Sequence, residues 1–306
     1  MPTLITHATP PPGTLPALAL PNLQALLRLL PAGAKVVGED DTLSPLHERL
    51  QAQALGLSVA DGLTAGAALQ ALGLGLPAHA PGWAWLTPCH WQVNADHVRM
   101  ADPVDTQISE AESTQVMDAM RAYLQEDGIT LHGLHQGNWL AQGAVLHALP
   151  TASLARAGGG AVDHWLPRQA QAQPLRRLQN EMQMLLYTHP VNDQRSARGL
   201  LPINSFWVSG TGSLPPGFAP QPLDLHDGLR AAAERKDLAA WLQAWQALDA
   251  GPLQRLRQQA QAGEAVTLTL CGAHAAQTFS PQPQGLWARL RQRLATPDIA
   301  ALLHSL

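Results

Sequence analysis

The segment formed by residues 188–212 constrains the fold of this 306-residue chain more than any other stretch. It follows a helical pattern that Pro174 opens and Pro190 ends, because a proline disfavours the helical conformation of the residue before it. It runs into residues 205–208, whose β-branched and aromatic side chains indicate a buried strand. The chain therefore carries a strongly polar connection from the end of a helix into the interior of a sheet.

The polar side chains of this segment predict a binding site for a small anion. Arg195 and Arg198 are three residues apart, so in a helical turn they share one face, and guanidinium groups match the oxygens of carboxylates and phosphates. Amide side chains suit the hydroxyls of a small polyol. The predicted ligand residues are His189, Asn192, Arg195, Arg198, Asn204 and Ser209. The alternative is that Asn192 caps a turn, the arginines are solvated and Asn204 satisfies backbone groups at a strand end.

Charge and composition exclude several classes of partner. The formal net charge of -4, from 19 basic and 23 acidic residues, disfavours nucleic acid as the main partner, since phosphate-backbone binding needs a basic face. The two cysteines give no disulfide framework and no zinc-ligand spacing. The sequence has no signal-peptide pattern and no apolar run of the roughly 18 residues that a membrane-spanning helix needs. We expect a cytoplasmic protein with no membrane partner, and the oligomeric state stays open.

Element order divides the chain into two predicted domains. Strands and helices alternate near both ends, which is typical of an α/β layer sandwich, and residues 266–270 are the strongest candidate for a parallel strand. A capping box, Ser109 to Glu112, begins a helix in a middle region of mixed character. We therefore predict a discontinuous α/β domain from residues 1–80 and 213–306, and an α+β domain from residues 81–212. The last helix of the α/β domain is predicted at residues 285–294.

Three further groups are candidate catalytic or metal sites. Asp40 and Asp41 follow a predicted strand and suit Mg²⁺ or Mn²⁺, although adjacent aspartates also mark exposed helix entries. His274 follows the predicted strand at residues 266–270, and α/β sheets place ligands at that end of their strands; a lone histidine there is also a common structural residue. Asp163 and His164 form a candidate acid–base pair, with a capped loop as the alternative.

Two motifs carry a resemblance to a known family: Tyr187-Thr-His-Pro-Val-Asn-Asp-Gln-Arg195 and Leu201-Pro-Ile-Asn-Ser-Phe-Trp-Val-Ser-Gly-Thr-Gly212. They resemble a group of proteobacterial proteins labelled cofactor-independent phosphoglycerate mutase or regulatory protein of the RpfE type. More distantly, they are similar to the substrate-binding insertion of archaeal-type cofactor-independent phosphoglycerate mutases. The close resemblance covers roughly residues 85–212. The matched positions are His189, Pro190, Val191, Asn192, Arg195, Gly199, Pro202, Asn204, Gly210 and Gly212.

The resemblance implies a reduced layer sandwich of the alkaline phosphatase superfamily with an inserted α+β substrate domain. Active members hold two divalent metals, but here Ala273 replaces a metal-binding aspartate, Ser209 replaces an arginine, and the first strand lacks its aspartate. The resemblance therefore implies a regulatory protein that binds a small phosphorylated or carboxylated metabolite without an intact metal centre. The alternative is an active mutase or phosphatase with a rearranged Mn²⁺ or Mg²⁺ site. A protein-interaction module is a third hypothesis. The rearranged site would use Asp40, Asp41 and His274, with His226 or Asp227.

Overall fold

The chain forms two compact units, each built from several segments. Unit 1 comprises residues 1–40, 46–57 and 220–306, and unit 2 comprises residues 41–45 and 58–219. The sequence analysis assigns residues 58–80 to the discontinuous α/β domain, but in the structure they lie in unit 2. The computed structural model describes residues 1–14, 18–58, 60–79, 81–94, 96–135, 137–283, 287 and 296–306.

Unit 1 is built on a five-stranded sheet in the order β2-β11-β10-β1-β9. Strand β1 runs parallel to both of its neighbours, β9 and β10, whereas β11 runs antiparallel to β10 and β2. The parallel strand predicted at residues 266–270 is therefore confirmed. The strands are β1 (Pro2–Ile5), β2 (Ala32–Val37), β9 (Asp224–His226), β10 (Thr267–Cys271) and β11 (Ala275–Phe279).

Helices cover both faces of this sheet. Successive strand residues point to opposite faces, so Ile5 joins a core with Trp241 and Trp245, while Leu4 joins a smaller cluster with Leu46. The result is a three-layer arrangement within unit 1. Apart from residue 287, the predicted helix at residues 285–294 lies outside the described residues. The helices are α1 (Pro21–Leu29), α2 (Leu46–Ala54), α9 (Arg230–Glu234), α10 (Leu238–Leu248), α11 (Gln254–Gln261) and α12 (Ile299–His304), with a π-helical turn at Asp249–Leu253.

Unit 2 is built on a four-stranded antiparallel sheet in the order β6-β7-β3-β8, with a separate two-stranded hairpin. The hairpin pairs β4 (Trp91–Val93) with β5 (Val98–Met100). An all-antiparallel sheet beside helices makes this unit α+β, and the molecule as a whole is a mixed α/β protein. The sheet strands are β3 (Gly82–Cys89), β6 (Thr130–His135), β7 (Asn138–Gly143) and β8 (Ser205–Gly212).

The two faces of the unit 2 sheet pack against different helices. Ala84 and Leu86 of β3 join a core with α5 (Glu110–Glu126) and α7 (Gln173–Tyr187). On the opposite face, Gly66 of α3 (Gly66–Gly73) contacts the Trp85 ring so closely that a Cβ atom there would overlap it. This packing explains why residues 58–80 belong to unit 2. The remaining helices are α4 (Pro103–Thr106), α6 (Leu154–Ala157) and α8 (Pro190–Ala197).

Pro190 has two roles in the polar segment. The predicted end of the preceding helix is confirmed, because α7 stops at Tyr187. Pro190 also occupies the first position of α8, where its fixed φ angle and missing N–H are compatible with a helix start. The segment is therefore not one loop but a short helix between α7 and β8. Among the helices that the structure describes, none combines the length and apolar character needed to cross a membrane.

Candidate functional site

Helix α8 brings two arginines onto one carboxylate of α5. Arg195 lies in the last turn of α8 and Arg198 is its C-cap residue. Arg195 Nη1 donates to Glu112 Oε2 at 2.9 Å, and Arg198 Nη2 donates to the other oxygen, Glu112 Oε1. The prediction that these arginines share a face is confirmed by their common partner.

Arg195 is part of the interior of unit 2. Its side chain is 0% exposed, and Nε donates to the backbone oxygen of Leu201 at 2.7 Å while Nη2 donates to that of Thr106. Satisfying every edge of a buried guanidinium offsets the large cost of removing it from water. The alternative of a solvated arginine is therefore wrong at this position.

Arg198 has a different environment. Its side chain is 56% exposed, against 10% for that of Glu112. Besides Glu112, Arg198 has a longer contact from Nε to the backbone oxygen of Gln194, at 3.4 Å. One edge of this guanidinium therefore faces protein and much of the rest faces solvent.

Glu112 is fixed as a carboxylate by its neighbours. It is the third residue of α5, and the capping box predicted with Ser109 is confirmed, since Ser109 Oγ accepts from the Glu112 N–H. Burial acts to raise the pKa of Glu112, but hydrogen bonds from Ser109 and the charges of Arg195 and Arg198 outweigh it and hold that pKa below its ordinary value. Glu112 is therefore ionised at neutral pH.

An open depression of about 480 Å³ lies over this cluster. The three charged side chains that meet here, Arg195, Arg198 and Glu112, sum to +1, while Glu110 of the same helical turn is exposed to solvent. The first turn of α5 adds the positive end of a helix dipole. Both features favour an anion at this surface. The lining residues are Ser109, Ala111, Glu112, Gln115, Gln194, Ala197 and Arg198.

Three other predicted ligand residues, His189, Asn192 and Asn204, bind main-chain groups. His189 is the N-cap of α8, and its Nδ1 accepts from the Val191 N–H at 3.2 Å. Asn192 is buried and bridges two segments, donating to the backbone oxygens of Leu186 and Ile203 and accepting from the Ile203 N–H. These contacts fix the conformation that presents Arg198.

Asn204 has the same kind of role at the start of β8. Its side-chain oxygen accepts from the Trp91 N–H at 2.7 Å, and its amide donates to the Trp91 backbone oxygen at 2.8 Å. The alternative that Asn204 satisfies strand-end backbone groups is therefore confirmed. Ser209 is a buried residue within β8, opposite Trp85 of β3.

The candidate acid–base pair of unit 2 holds a loop in place. Asp163 Oδ2 accepts from the Val98 N–H at 2.9 Å, which joins its loop to β5. The His164 ring packs edge-on against Trp165, with 4.9 Å between ring centroids. Although the two residues are adjacent in sequence, Asp163 binds a backbone N–H and His164 packs against a ring. This agrees with the alternative of a capped loop.

Four of the candidate metal residues, Asp40, Asp41, Asp227 and His274, are exposed, whereas the His226 side chain is only 17% exposed. In unit 1, His274 Nδ1 lies 3.5 Å from Asp40 Oδ1, with side-chain exposures of 71% and 79%, and His226 Nε2 lies 3.1 Å from Asp224 Oδ2. Asp41 is exposed in unit 2, and Asp227 is exposed in a turn of unit 1. Within the described residues, no three His, Cys, Asp or Glu side chains come together as metal ligands. Asp40 and His274 alone offer fewer donors than a two-metal centre needs.

The sequence analysis does not predict two features of the structure. Glu112 is recognisable as a capping residue, but nothing in the pattern links it to arginines more than 80 residues away. His7, two residues after the end of β1, has a φ of 58°, which is uncommon for a residue other than glycine. Its ring lies 4.7 Å from that of His47 between centroids. A histidine so close to the end of a parallel strand is the only sequence signal for this pair.

Comparison with known proteins gives structural likeness only. No protein-family model and no curated protein matches this sequence. A cofactor-independent phosphoglycerate mutase from Thermoplasma acidophilum is similar at 14% identity and a TM-score of 0.41, with 100% of this chain and 99% of that chain covered. The PH0037 protein of Pyrococcus horikoshii is similar at 14% identity and a TM-score of 0.46, with 91% and 87% covered.

Proposed function

We propose that this protein binds a small phosphorylated or carboxylated metabolite in the depression beside α5 and acts as a regulatory, phosphoglycerate mutase-like protein. The observation that carries the proposal is the half-exposed Arg198 guanidinium, held at a positively charged cluster that opens to solvent. The bound group is an oxyanion, because a guanidinium presents paired donors at the spacing of phosphate or carboxylate oxygens.

The chemistry of the depression supports binding rather than turnover. Glu112 is its acidic side chain, and both of its oxygens already accept hydrogen bonds from arginines. Because its pKa is lowered, Glu112 stays deprotonated, whereas a general acid needs a pKa near the working pH. Glu112 therefore serves as a counter-ion, and Arg198 is left to hold the ligand.

The sequence resemblance supports a ligand of the phosphoglycerate class. The motif at residues 187–195 is similar to the substrate-binding insertion of cofactor-independent phosphoglycerate mutases, and it covers the first part of α8, up to Arg195, three residues before Arg198. A three-carbon acid with one phosphoryl group carries two oxyanions at opposite ends and is small enough for a depression of about 480 Å³.

Thermal unfolding in the presence of candidate anions tests this proposal. We expect 3-phosphoglycerate and inorganic phosphate to raise the melting temperature, since a ligand at 100 times its Kd stabilises a protein by about 2.7 kcal/mol. Arg198→Gln should abolish the shift. Arg177→Gln is the matched control, because Arg177 is 58% exposed and is also paired with a carboxylate, that of Asp127. An equal loss in both variants, or no shift from any phosphoester or carboxylate, would contradict the proposal.

A second candidate function is an active mutase or phosphatase with a rearranged metal site. The approach of His274 Nδ1 to Asp40 Oδ1 favours it, since both are ligand types for Mn²⁺. Metal analysis of the purified protein, followed by assay of 3-phosphoglycerate conversion to 2-phosphoglycerate with added Mn²⁺, separates the two functions. Stoichiometric metal together with turnover that is lost in Asp40→Ala and His274→Ala would establish the second one.

A further inference from the structure

The Glu112 carboxylate divides its two oxygens between a fixed set of donors and a single exposed one. Oε2 accepts from the Ser109 N–H at 2.9 Å, from Ser109 Oγ at 2.8 Å and from Arg195 Nη1 at 2.9 Å. Oε1 accepts from Arg198 Nη2. The charge of Glu112 is therefore compensated on the Oε2 side before Arg198 is counted.

The two arginines differ in how freely they can move. Arg195 is enclosed and bonded on every edge, so a change in its position would disrupt the interior of unit 2. Arg198 stands at the end of α8, followed by Gly199, and its guanidinium is more than half exposed. A long exposed side chain of this kind exchanges between rotamers at little cost.

We infer that Glu112 is a tethered competitor for the bound anion: a phosphoryl or carboxylate group displaces Glu112 Oε1 from Arg198 and takes its place. This inference rests on the proposed function and adds the step by which the site opens. Glu112 and the ligand present the same kind of oxygen to the same donor, and one edge of a guanidinium pairs with one carboxylate or phosphate at a time.

The remaining donors make this exchange possible. When Arg198 turns to the ligand, Glu112 keeps Arg195 and both donors of Ser109, so no buried charge is left without a partner. Glu112 lines the depression, so water replaces Arg198 at the freed oxygen, Oε1. An anion therefore binds only if its interaction with Arg198 is stronger than that of Glu112, and weakly binding anions are excluded.

Titration of the full-length protein with inorganic phosphate tests the inference. Glu112→Gln keeps the length of the side chain and its ability to accept from Ser109 but removes the charge that holds Arg198. We expect this variant to bind phosphate at least about fivefold more tightly than the wild type, the factor that corresponds to loss of a partly exposed ion pair. Glu110→Gln is the control, since it removes an equal charge from an exposed position of the same helical turn. It should change the affinity less than about twofold.

The outcomes separate this inference from the proposed function. If phosphate binds the wild type and not Arg198→Gln, while Glu112→Gln binds no more tightly than the wild type, competition by Glu112 is refuted and the proposed function stands. If phosphate binds none of these proteins, both fall.

A wild-type measurement covers the case in which Glu112→Gln does not fold. The Nε–H resonance of Arg198 should shift on addition of phosphate, while that of buried Arg195 stays in place. Phosphate binding that leaves the Arg198 resonance unchanged, or that shifts both resonances equally, would overturn the inference.

Discussion

Two groups of charged side chains, one in each unit, differ in their burial. In unit 1, Asp40 and His274 approach each other with most of each side chain in water. In unit 2, Arg195, Arg198 and Glu112 form one connected cluster with a fully buried member. The comparison shows that charged side chains contribute most to the stability of the fold where several of them contact one another and are buried. The number of titratable residues in a region is a poorer guide.

The energetic consequences of the two arrangements differ widely. An exposed ion pair contributes about 0–1 kcal/mol, because water and salt screen it. Removing one partner of a buried pair costs about 3–5 kcal/mol, since the other charge is left uncompensated. Substitutions in the two units therefore test the comparison directly.

The largest effect is expected at Arg195. Arg195→Met keeps much of the side-chain volume but removes the donors to Glu112, Leu201 and Thr106. We predict a loss of about 3–5 kcal/mol in the free energy of unfolding, measured by urea denaturation. Arg198→Met, on the exposed side of the same carboxylate, should cost less than about 1 kcal/mol. Similar losses in the two variants would show that burial does not distinguish the arginines.

The next effect tests the packing of β8 against the Trp85 ring of β3 in unit 2. Gly210 has a φ of 62°, and a Cβ atom there would overlap the Trp85 ring. Gly210→Ala should cost about 2–4 kcal/mol, from backbone strain and overpacking together. Gly199→Ala is the matched control: its φ is 70°, but no atom lies within 4 Å of its added Cβ. It should lose only about 1 kcal/mol, and an equal loss at the two sites would rule out the ring contact as the cause.

Much of the local structure could be predicted from the sequence because it depends on short-range chemistry. The helix that starts at Ser109 is determined by its capping box, and β10 by a run of alternating β-branched and leucine residues. Pro190 illustrates the limit of this reasoning. A proline both ends one helix and suits the first turn of another, so the pattern alone did not distinguish a loop from α8.

The candidate site was only partly predictable because its key contact is distant in sequence. Periodicity places Arg195 and Arg198 on one face of a turn, but it does not reveal the carboxylate that they share. For His189, Asn192 and Asn204, the same side-chain chemistry serves a ligand or a backbone group equally well. Only the position of neighbouring main-chain N–H and C=O groups decides between these roles, and in this protein it decides for the backbone.

A smaller effect is expected at His7 in unit 1, as a dependence of stability on pH. Burial lowers the pKa of His7 below its ordinary value of 6.5, and Arg230 lowers it further, while Glu234 and Asp227 oppose the shift. The unfolded chain therefore binds a proton more readily, and the stability present above that ordinary pKa is lost as the pH falls toward the folded one.

His7→Asn removes this titration and keeps a residue type that tolerates positive φ. We expect the variant to lose less stability than the wild type between about pH 7.5 and about pH 5, measured by urea denaturation at each pH. The neighbouring ring of His47 remains in both proteins. An unchanged pH profile would show that the strained residue is not what makes this strand end sensitive to acid.

The smallest effect is expected at the exposed pair of unit 1, and it has the most power to break the comparison. His274→Ala removes the 3.5 Å contact with Asp40, but both side chains are mostly in water. We predict a change in unfolding free energy within about 0.5 kcal/mol and an unchanged melting temperature when Mn²⁺ is added. A loss of Mn²⁺-dependent stabilisation on substitution would instead make this strand end a metal site. Asp40 and His274 would then be metal ligands rather than solvated surface residues, and the contrast with the cluster of Arg195, Arg198 and Glu112 would no longer hold.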